Sequence, residues 1–293
     1  MVSEVLDVLE PQPGEKFLDL TLGTGGHALE VGARLGAEGL LVGIDADESA
    51  LRLARDRLRE QAPCPFRLFN EPFSRAPAVA EEVGVEGFDL ALADLGIGTH
   101  QLDNPERSFS FDSDARLDMR YDRSRGITAH EVVNQMPQDE LADLFYEYGE
   151  ERYSRPIAAR ICDERPIESA AELAGLVKQV AARRTSRDTT WRIHPATRVM
   201  MALRIYVNRE LEELDALLDE LPGLLADGGR VGIITYHSLE ARRVKQAWRD
   251  QAQRPLLEEL DRSPLMPTEE EIEDNPRVRS AQLRAARRMG GRI

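Results

Sequence analysis

The chain has 293 residues, enough for one large domain or two small ones, and its 42% apolar share is ordinary for a globular protein. A formal net charge of −15 argues against a protein that coats nucleic acid through its overall field, though not against a local basic patch. No apolar run approaches the roughly 18 residues of a membrane span.

Met1 to Pro13 carries acids and no basic leader-like stretch. Cys64 and Cys162 lie far apart, without metal-ligand spacing, so the expectation is a cytoplasmic protein with small buried or half-buried thiols and no metal site. Arginine carries nearly all the positive charge, because only Lys16, Lys178 and Lys245 are lysines. Arginine forks suit phosphate and carboxylate recognition. Coding bias or salt adaptation explains the same composition equally well.

Val2–Leu9 reads as a short helix broken by Pro11-Gln-Pro-Gly14. The stretch that organises the chain follows, Lys16-Phe-Leu-Asp-Leu-Thr-Leu-Gly-Thr-Gly-Gly-His27. A short apolar run leads into Gly23, Gly25 and Gly26, and His27–Leu35 reads as a helix. A glycine loop between a strand and a helix N-terminus opens a nucleotide-binding α/β unit. Two ligands compete for it. Gly23-x-Gly25-x-x-Ala28 satisfies the relaxed dinucleotide fingerprint, with Asp45 at the distance of a ribose-binding acid. Asp19, inside the strand, is instead typical of S-adenosylmethionine (SAM) enzymes, where such an acid lies near the amino-acid end of the cofactor. Asp19-x-Thr21-x-Gly23-x-Gly25 resembles the first methyltransferase motif.

Leu40–Ile44 is the second predicted strand, Asp47–Arg59 an amphipathic helix and Phe66–Phe69 a third strand. Asp45, ending the second strand, can accept both ribose hydroxyls. Phe73 is equally a candidate to lie against an adenine ring and a core residue. Phe88–Asp94 is the fourth strand, running into Leu95-Gly-Ile-Gly-Thr99. Asp19, Asp45 and Asp94 thus fall at or near the carboxyl ends of strands, where open α/β sheets bind ligands.

The strand–helix rhythm then stops. Helices are predicted at 129–134, 138–148, 156–164 and 169–182, forming an insert that ends in the basic run Arg183-Arg-Thr-Ser-Arg-Asp-Thr-Thr-Trp-Arg192. This run either holds a phosphate backbone and stacks on a base or is an exposed loop. From Ala196 to Leu221 the apolar spacing predicts one long helix. Arg230–Tyr236 is the fifth strand, leading to His237-Ser-Leu-Glu240 and a helix to Gln251. The tail from Arg277 has six arginines and no acid, after an acidic run at Glu269–Asp274. It is expected to meet phosphate or to fold back on acidic surface.

Taken together, these segments resemble the RsmH (MraW) family. The similarity rests on Gly25-Gly-His27, Gly43-Ile-Asp-Ala-Asp47, Asp94-Leu-Gly, Gln101-Leu-Asp103, Ser108-Phe-Ser-Phe111 and Leu117-Asp-Met-Arg120. It continues through Tyr148-Gly-Glu-Glu-Arg152, His194-Pro-Ala-Thr-Arg198, Ala202-Leu-Arg-Ile205, Val207-Asn208, His237-Ser-Leu-Glu240 and Asn275-Pro-Arg277. The resemblance implies an α/β fold, with a Rossmann-like SAM-dependent methyltransferase sheet and a helical insertion domain between strands 4 and 5. The methyltransferase domain would span 1–104 plus 194–293, and the insert, 105–193, would recognise RNA.

The implied activity is methylation of N4 of a decoding-centre cytosine in 16S rRNA, on the small ribosomal subunit. The implied cofactor set is Gly25, Gly26, His27, Asp45, Phe73, Asp94 and Gln101, of which His27 and Gln101 come from resemblance alone. Asp94, Thr99 and His237 are the catalytic candidates, Asp94 and the 95–99 loop forming the docking edge for the amino group. A homodimer is left open. The chain departs from the family where two serines are usual, having Gly98-Thr99, and where an acid usually follows His-Ser-Leu-Glu, having Ala241. The family's His-x-Pro-Val start and its Lys/Arg-Pro element are missing or reduced. Those departures leave room for a SAM-binding assembly factor with little methylation, or for a different RNA or DNA amino group as target.

Overall fold

A computed structural model of the protein describes residues 1–184, 194–251 and 256–290. The chain divides into two compact units, one of residues 1–96 with 211–293 and one of residues 97–210.

The first unit is built on a seven-stranded sheet. In chain order it runs α1 (Val2–Leu9), β1 (Lys16–Asp19), α2 (Gly26–Leu35), β2 (Leu40–Ile44), α3 (Glu48–Gln61), β3 (Phe66–Phe69), α4 (Ala76–Val83) and β4 (Phe88–Asp94). The second unit then contributes α5 (Thr99–Leu102), α6 (Ala129–Gln135), α7 (Gln138–Glu147), α8 (Ser154–Glu164), α9 (Ala170–Arg184) and α10 (Thr197–Asn208). The chain returns through α11 (Glu210–Leu224), β5 (Leu225–Thr235), α12 (Ser238–Gln251), β6 (Leu257–Glu259), α13 (Glu269–Asp274) and β7 (Gln282–Arg288).

The strand order is β3-β2-β1-β4-β5-β7-β6. β1 pairs in parallel with both β2 and β4, β2 with β3, and β4 with β5, whereas β7 runs antiparallel to β5 and β6. The inner strands are apolar on both faces, as a sheet covered by helices on both sides requires. Leu18, Val42, Ala91 and Ile233 face α11 and α12, where Leu214, Leu218, Leu221, Val244 and Trp248 cover them. Phe17, Leu41, Leu90 and Leu92 face the other way, into a core with Val5, Leu9, Val31, Leu35, Leu51 and Leu58. The order reverses between β1 and β4, which opens a crevice at their carboxyl ends.

The second unit has its own core, with Phe145, Ile157, Ile161, Leu173, Leu203 and Leu141 fully or almost fully buried. Its irregular segment, 104–128, is tied down by side chains. The Asn208 amide receives the Tyr121 N–H at 2.7 Å and donates to the Met119 carbonyl at 2.8 Å. Asp118 and Arg120 pair at 2.7 Å.

One expectation is corrected, and of the two offered for the tail the fold back on acids is met. The single helix predicted over 196–221 is two, because Arg209 takes a left-handed conformation, φ 53°, between α10 and α11. The arginine-rich tail is largely strand β7. Arg284 pairs with Glu259 at 2.6 Å and Arg288 with Asp227 at 3.5 Å, so these side chains meet acids of their own unit. Of the basic run 183–192, residues 185–192 lie outside the described residues. Cys64 is buried and Cys162 half-buried, as expected. Among the described residues no helix is long and apolar enough to cross a membrane.

Candidate functional site

At the carboxyl end of β1 the chain stays bonded to both neighbours for three more residues. Leu20 N–H donates to the Leu92 carbonyl at 2.8 Å and Leu22 N–H to that of Ile44 at 2.9 Å. The loop then turns at Gly23, φ 53°, and Gly25, φ 80°, a backbone that only glycine adopts without strain. Gly25 is the N-cap of α2 and offers no capping side chain, so the first-turn N–H groups of that helix have no side-chain cap from it. A Cβ on Gly26 would meet nothing within 4 Å, so the loop borders open space.

Asp45 holds this loop in place. One carboxylate oxygen accepts the Gly23 N–H at 2.7 Å, and the other accepts that of Asp47 at 2.8 Å. Phe73 opens a short 3₁₀ turn, half-buried against the core beneath α4 and the sheet.

Asp94 ends β4 across the crevice. Its N–H donates to the Thr21 hydroxyl at 2.6 Å. Its carboxylate accepts the Tyr236 hydroxyl at 2.9 Å on one oxygen, and the other oxygen lies 3.5 Å from His27 Nε2. Tyr236 is the residue that sequence reading missed. It follows an apolar strand and looked like one more strand residue.

The electrostatics are unusual. Burial pushes the Asp19 carboxyl up to about 7, assisted by the charges of Asp94 and Asp45 and opposed by His27 and by the Thr21 N–H. Burial works against protonation of His27, but the hydrogen bond and charge of Asp94, together with Asp19, outweigh it and raise its pKa. Burial, and then the Asp94 charge, hold the Tyr236 phenol well above its usual range.

The structure therefore brings Gly25, Gly26, His27, Asp45 and Asp94 together in the first unit, with Phe73 in the turn after β3. His237 is in the same unit but serves as a cap. Its carbonyl accepts the first bond of α12 from Ala241, its Nδ1 lies 3.4 Å from the Glu240 N–H, and Glu240 accepts the N–H groups of Tyr236 and His237 at 2.8 and 3.3 Å. Gln101 and Thr99 belong to the second unit. Gln101 is buried and accepts the Gly98 N–H at 3.0 Å, while Thr99 is exposed.

These residues fit a cationic donor that carries an amino acid and a nucleoside. His27 Nδ1 is buried without a hydrogen-bond partner, a polar atom that a bound ligand would satisfy. Asp19 is 2% exposed, and among the described residues no arginine or lysine pairs with it. An ammonium or sulfonium nearby would offset its burial. The uncapped first turn of α2 suits a carboxylate.

A sheet in this order, with a glycine loop after β1 and acids at the ends of β1, β2 and β4, is a Rossmann-like SAM-dependent methyltransferase. S-adenosylmethionine is its cofactor, and the dinucleotide alternative falls away. Residues 1–289 match the MraW methylase family, and the chain belongs to that family. It is 45% identical over 285 residues to the ribosomal RNA small subunit methyltransferase H of Cyanothece sp., an alignment covering 97% of this chain and 92% of that one. To the protein of the same name from Koribacter versatilis it is 44% identical over 292 residues, covering 97% and 91%.

Proposed function

We propose that this protein methylates small-subunit ribosomal RNA, and that its target is the exocyclic N4 of a decoding-centre cytosine in 16S rRNA. The names of the relatives support the RNA class, and the family resemblance supports the base and the position. The observation that carries the reading is the Asp94 carboxylate, held by Tyr236 at the switch point beside His27.

SAM supplies an electrophilic methyl group on a sulfonium. The residues of the chain bind and orient. When SAM is bound, Asp45 would hold its ribose, Gly25, Gly26 and the start of α2 its amino-acid portion, with His27 offering Nδ1 there. Phe73 would lie against the adenine, and the resemblance adds Gln101 to the binding residues. Cytosine N4 is a poor nucleophile because its lone pair is delocalised into the ring. A carboxylate that accepts one amino hydrogen draws that nitrogen toward tetrahedral geometry and stabilises the positive charge that develops on it. Asp94 takes that role, with the 95–99 loop, including Thr99, as the docking edge and His237 as a further polar group at the end of β5. The base must leave its stack to reach such a site. The helical unit, with the basic run 183–192, grips the RNA. The protein works in the cytoplasm, on RNA or on the small subunit, and a homodimer is compatible with this role.

Gly98 favours a second reading, a SAM-binding assembly factor with little turnover. A side chain there would meet the His100 ring at 2.8 Å, so the space of the usual family serine is taken. Mass spectrometry of decoding-site RNA, from cells with and without the gene product, separates the two. The proposal expects one methyl on the amino group of a single cytidine to disappear with the gene. Identical nucleoside profiles would overturn it.

A further inference from the structure

We propose that Tyr236 is a positioning residue for methyl transfer: its hydroxyl fixes the Asp94 carboxylate in the one orientation that presents an oxygen to the substrate amino group. This rests on the reading of Asp94 as the acceptor of an amino hydrogen.

Four observations converge on it. The hydroxyl donates to one Asp94 oxygen at 2.9 Å, and the second oxygen is the one that faces His27 at 3.5 Å. The residue is held at its backbone and at its ring. Its backbone N–H donates to Glu240 at 2.8 Å, and Glu240 is itself 2% exposed and pinned to the N-terminus of α12. On the other side Gly96 runs against the ring so closely that a Cβ there would lie 3.0 Å from Cδ2 and Cε2. The backbone N–H of Asp94 is meanwhile fixed by Thr21 at 2.6 Å, so the main chain is set and the carboxylate torsion is the freedom left to control. The terminal torsion of an aspartate is broad and two-fold, and it settles only when something holds it.

A phenol whose proton is retained throughout the working pH range always donates in this pair, so the carboxylate is always the acceptor. The bond occupies one oxygen and turns the other toward the crevice, where it lies 3.5 Å from His27 Nε2 and has a second lone pair for an amino hydrogen. Nothing in the arrangement requires Tyr236 to touch the cofactor or the base. It acts through Asp94.

The test compares Tyr236→Phe with Asp94→Ala in a labelled methyl-transfer assay on small-subunit RNA. SAM affinity is followed by calorimetry and folding by thermal melting. The phenylalanine keeps the ring against Gly96 and removes only the donor. The expected result is a kcat lower by about tenfold, the value of one hydrogen bond to a charged group. KM for RNA and Kd for SAM should each stay within about twofold of the parent, while the melting temperature falls by no more than the few degrees that one lost hydrogen bond explains. An unchanged kcat in Tyr236→Phe, with an inactive Asp94→Ala, overturns the positioning role and leaves the Asp94 reading standing. Near-normal turnover in Asp94→Ala overturns the reading beneath it. A Tyr236→Phe protein that melts early and binds SAM weakly in proportion to its lost rate overturns the proposal in favour of a packing role.

Discussion

Two buried aspartates, one in each unit, show opposite electrostatics. Asp118, in the irregular front of the helical unit, meets Arg120 at 2.7 Å and Arg123 at 3.5 Å. Burial would raise its carboxyl, but the Arg120 hydrogen bonds and the two positive charges outweigh burial and hold it below the usual range. Asp19 is buried at the sheet rim without an arginine or lysine, and its carboxyl is pushed up to about 7. A carboxylate with a resident arginine is complete as it stands and serves to fold a loop. A desolvated carboxyl that feels the charge of a histidine rather than a paired arginine gains from a positive charge that arrives from outside. The same side chain is thus complete in one unit and short of a counter-charge in the other, and the partner decides which.

Asp45 gives the largest expected effect and the sharpest challenge to that contrast, because it does both jobs. It accepts two backbone N–H groups and faces the crevice. Each such charge-assisted bond contributes about 1.5–3 kcal/mol. Asp45→Ala should lower the melting temperature and weaken SAM binding by at least about 100-fold, since loop and ligand lose the same anchor. Calorimetric titration alongside thermal melting checks this. A variant that melts early but binds SAM normally would put Asp45 in the class of Asp118, as a loop-folding acid only.

The rim was legible from sequence for a physical reason. Strands covered on both faces read as uninterrupted apolar runs, so β2, β3 and β4 have the bounds that the pattern predicts, and the acids that end or follow those runs stand out. Helices α6 to α9 of the second unit were legible to within a few residues, whereas the short α5 was not. The break at Arg209 was not, because Val207 and Leu211 keep the apolar spacing on either side of it. β7 was hidden for a different reason. Arg284 sits in the strand, 8% exposed, and only its pairing with Glu259 makes that affordable, which the local sequence does not display. Tyr236 was hidden by being aromatic at the end of an apolar strand. Its function depends on a partner 142 residues away in the chain.

The second test compares the pH dependence of the two aspartates. Asp19 is raised when folded, so between about pH 4 and about 7 the native state binds a proton that the unfolded chain has released. Its contribution is full below the ordinary carboxylate value and is lost as pH rises toward 7. His27, also raised, acts in the same direction: its contribution is present below its unfolded value and lost as pH climbs through the folded one. Asp118 is lowered, so its contribution is present above the ordinary carboxylate value and lost as pH falls through the depressed one. Asp19→Asn should therefore flatten the fall in melting temperature between pH 4 and 7 in the ligand-free protein. Asp118→Asn should alter only the acid side. Melting curves across pH for both variants read this directly, and equal slopes in all three proteins would erase the distinction drawn between the two acids.

The smallest effect is expected at Gly98. A Cβ built there lies 2.8 Å from His100 Cε1 and Nδ1, so a serine fits only if the imidazole swings aside. The clash is with the end of a side chain, and rotating it costs roughly 0.5–1.5 kcal/mol. Gly98→Ser alone should lower the melting temperature slightly and change methyl transfer by less than about threefold. Replacing His100 with alanine in the same protein should recover the stability, because the two positions share one space and their effects are not additive. A double-mutant cycle on melting temperature and initial rate measures that coupling. If Gly98→Ser instead raised the rate tenfold or more, the missing hydroxyl would be what limits the natural protein. The assembly-factor reading would then gain the support that the rim acids now give to the enzyme.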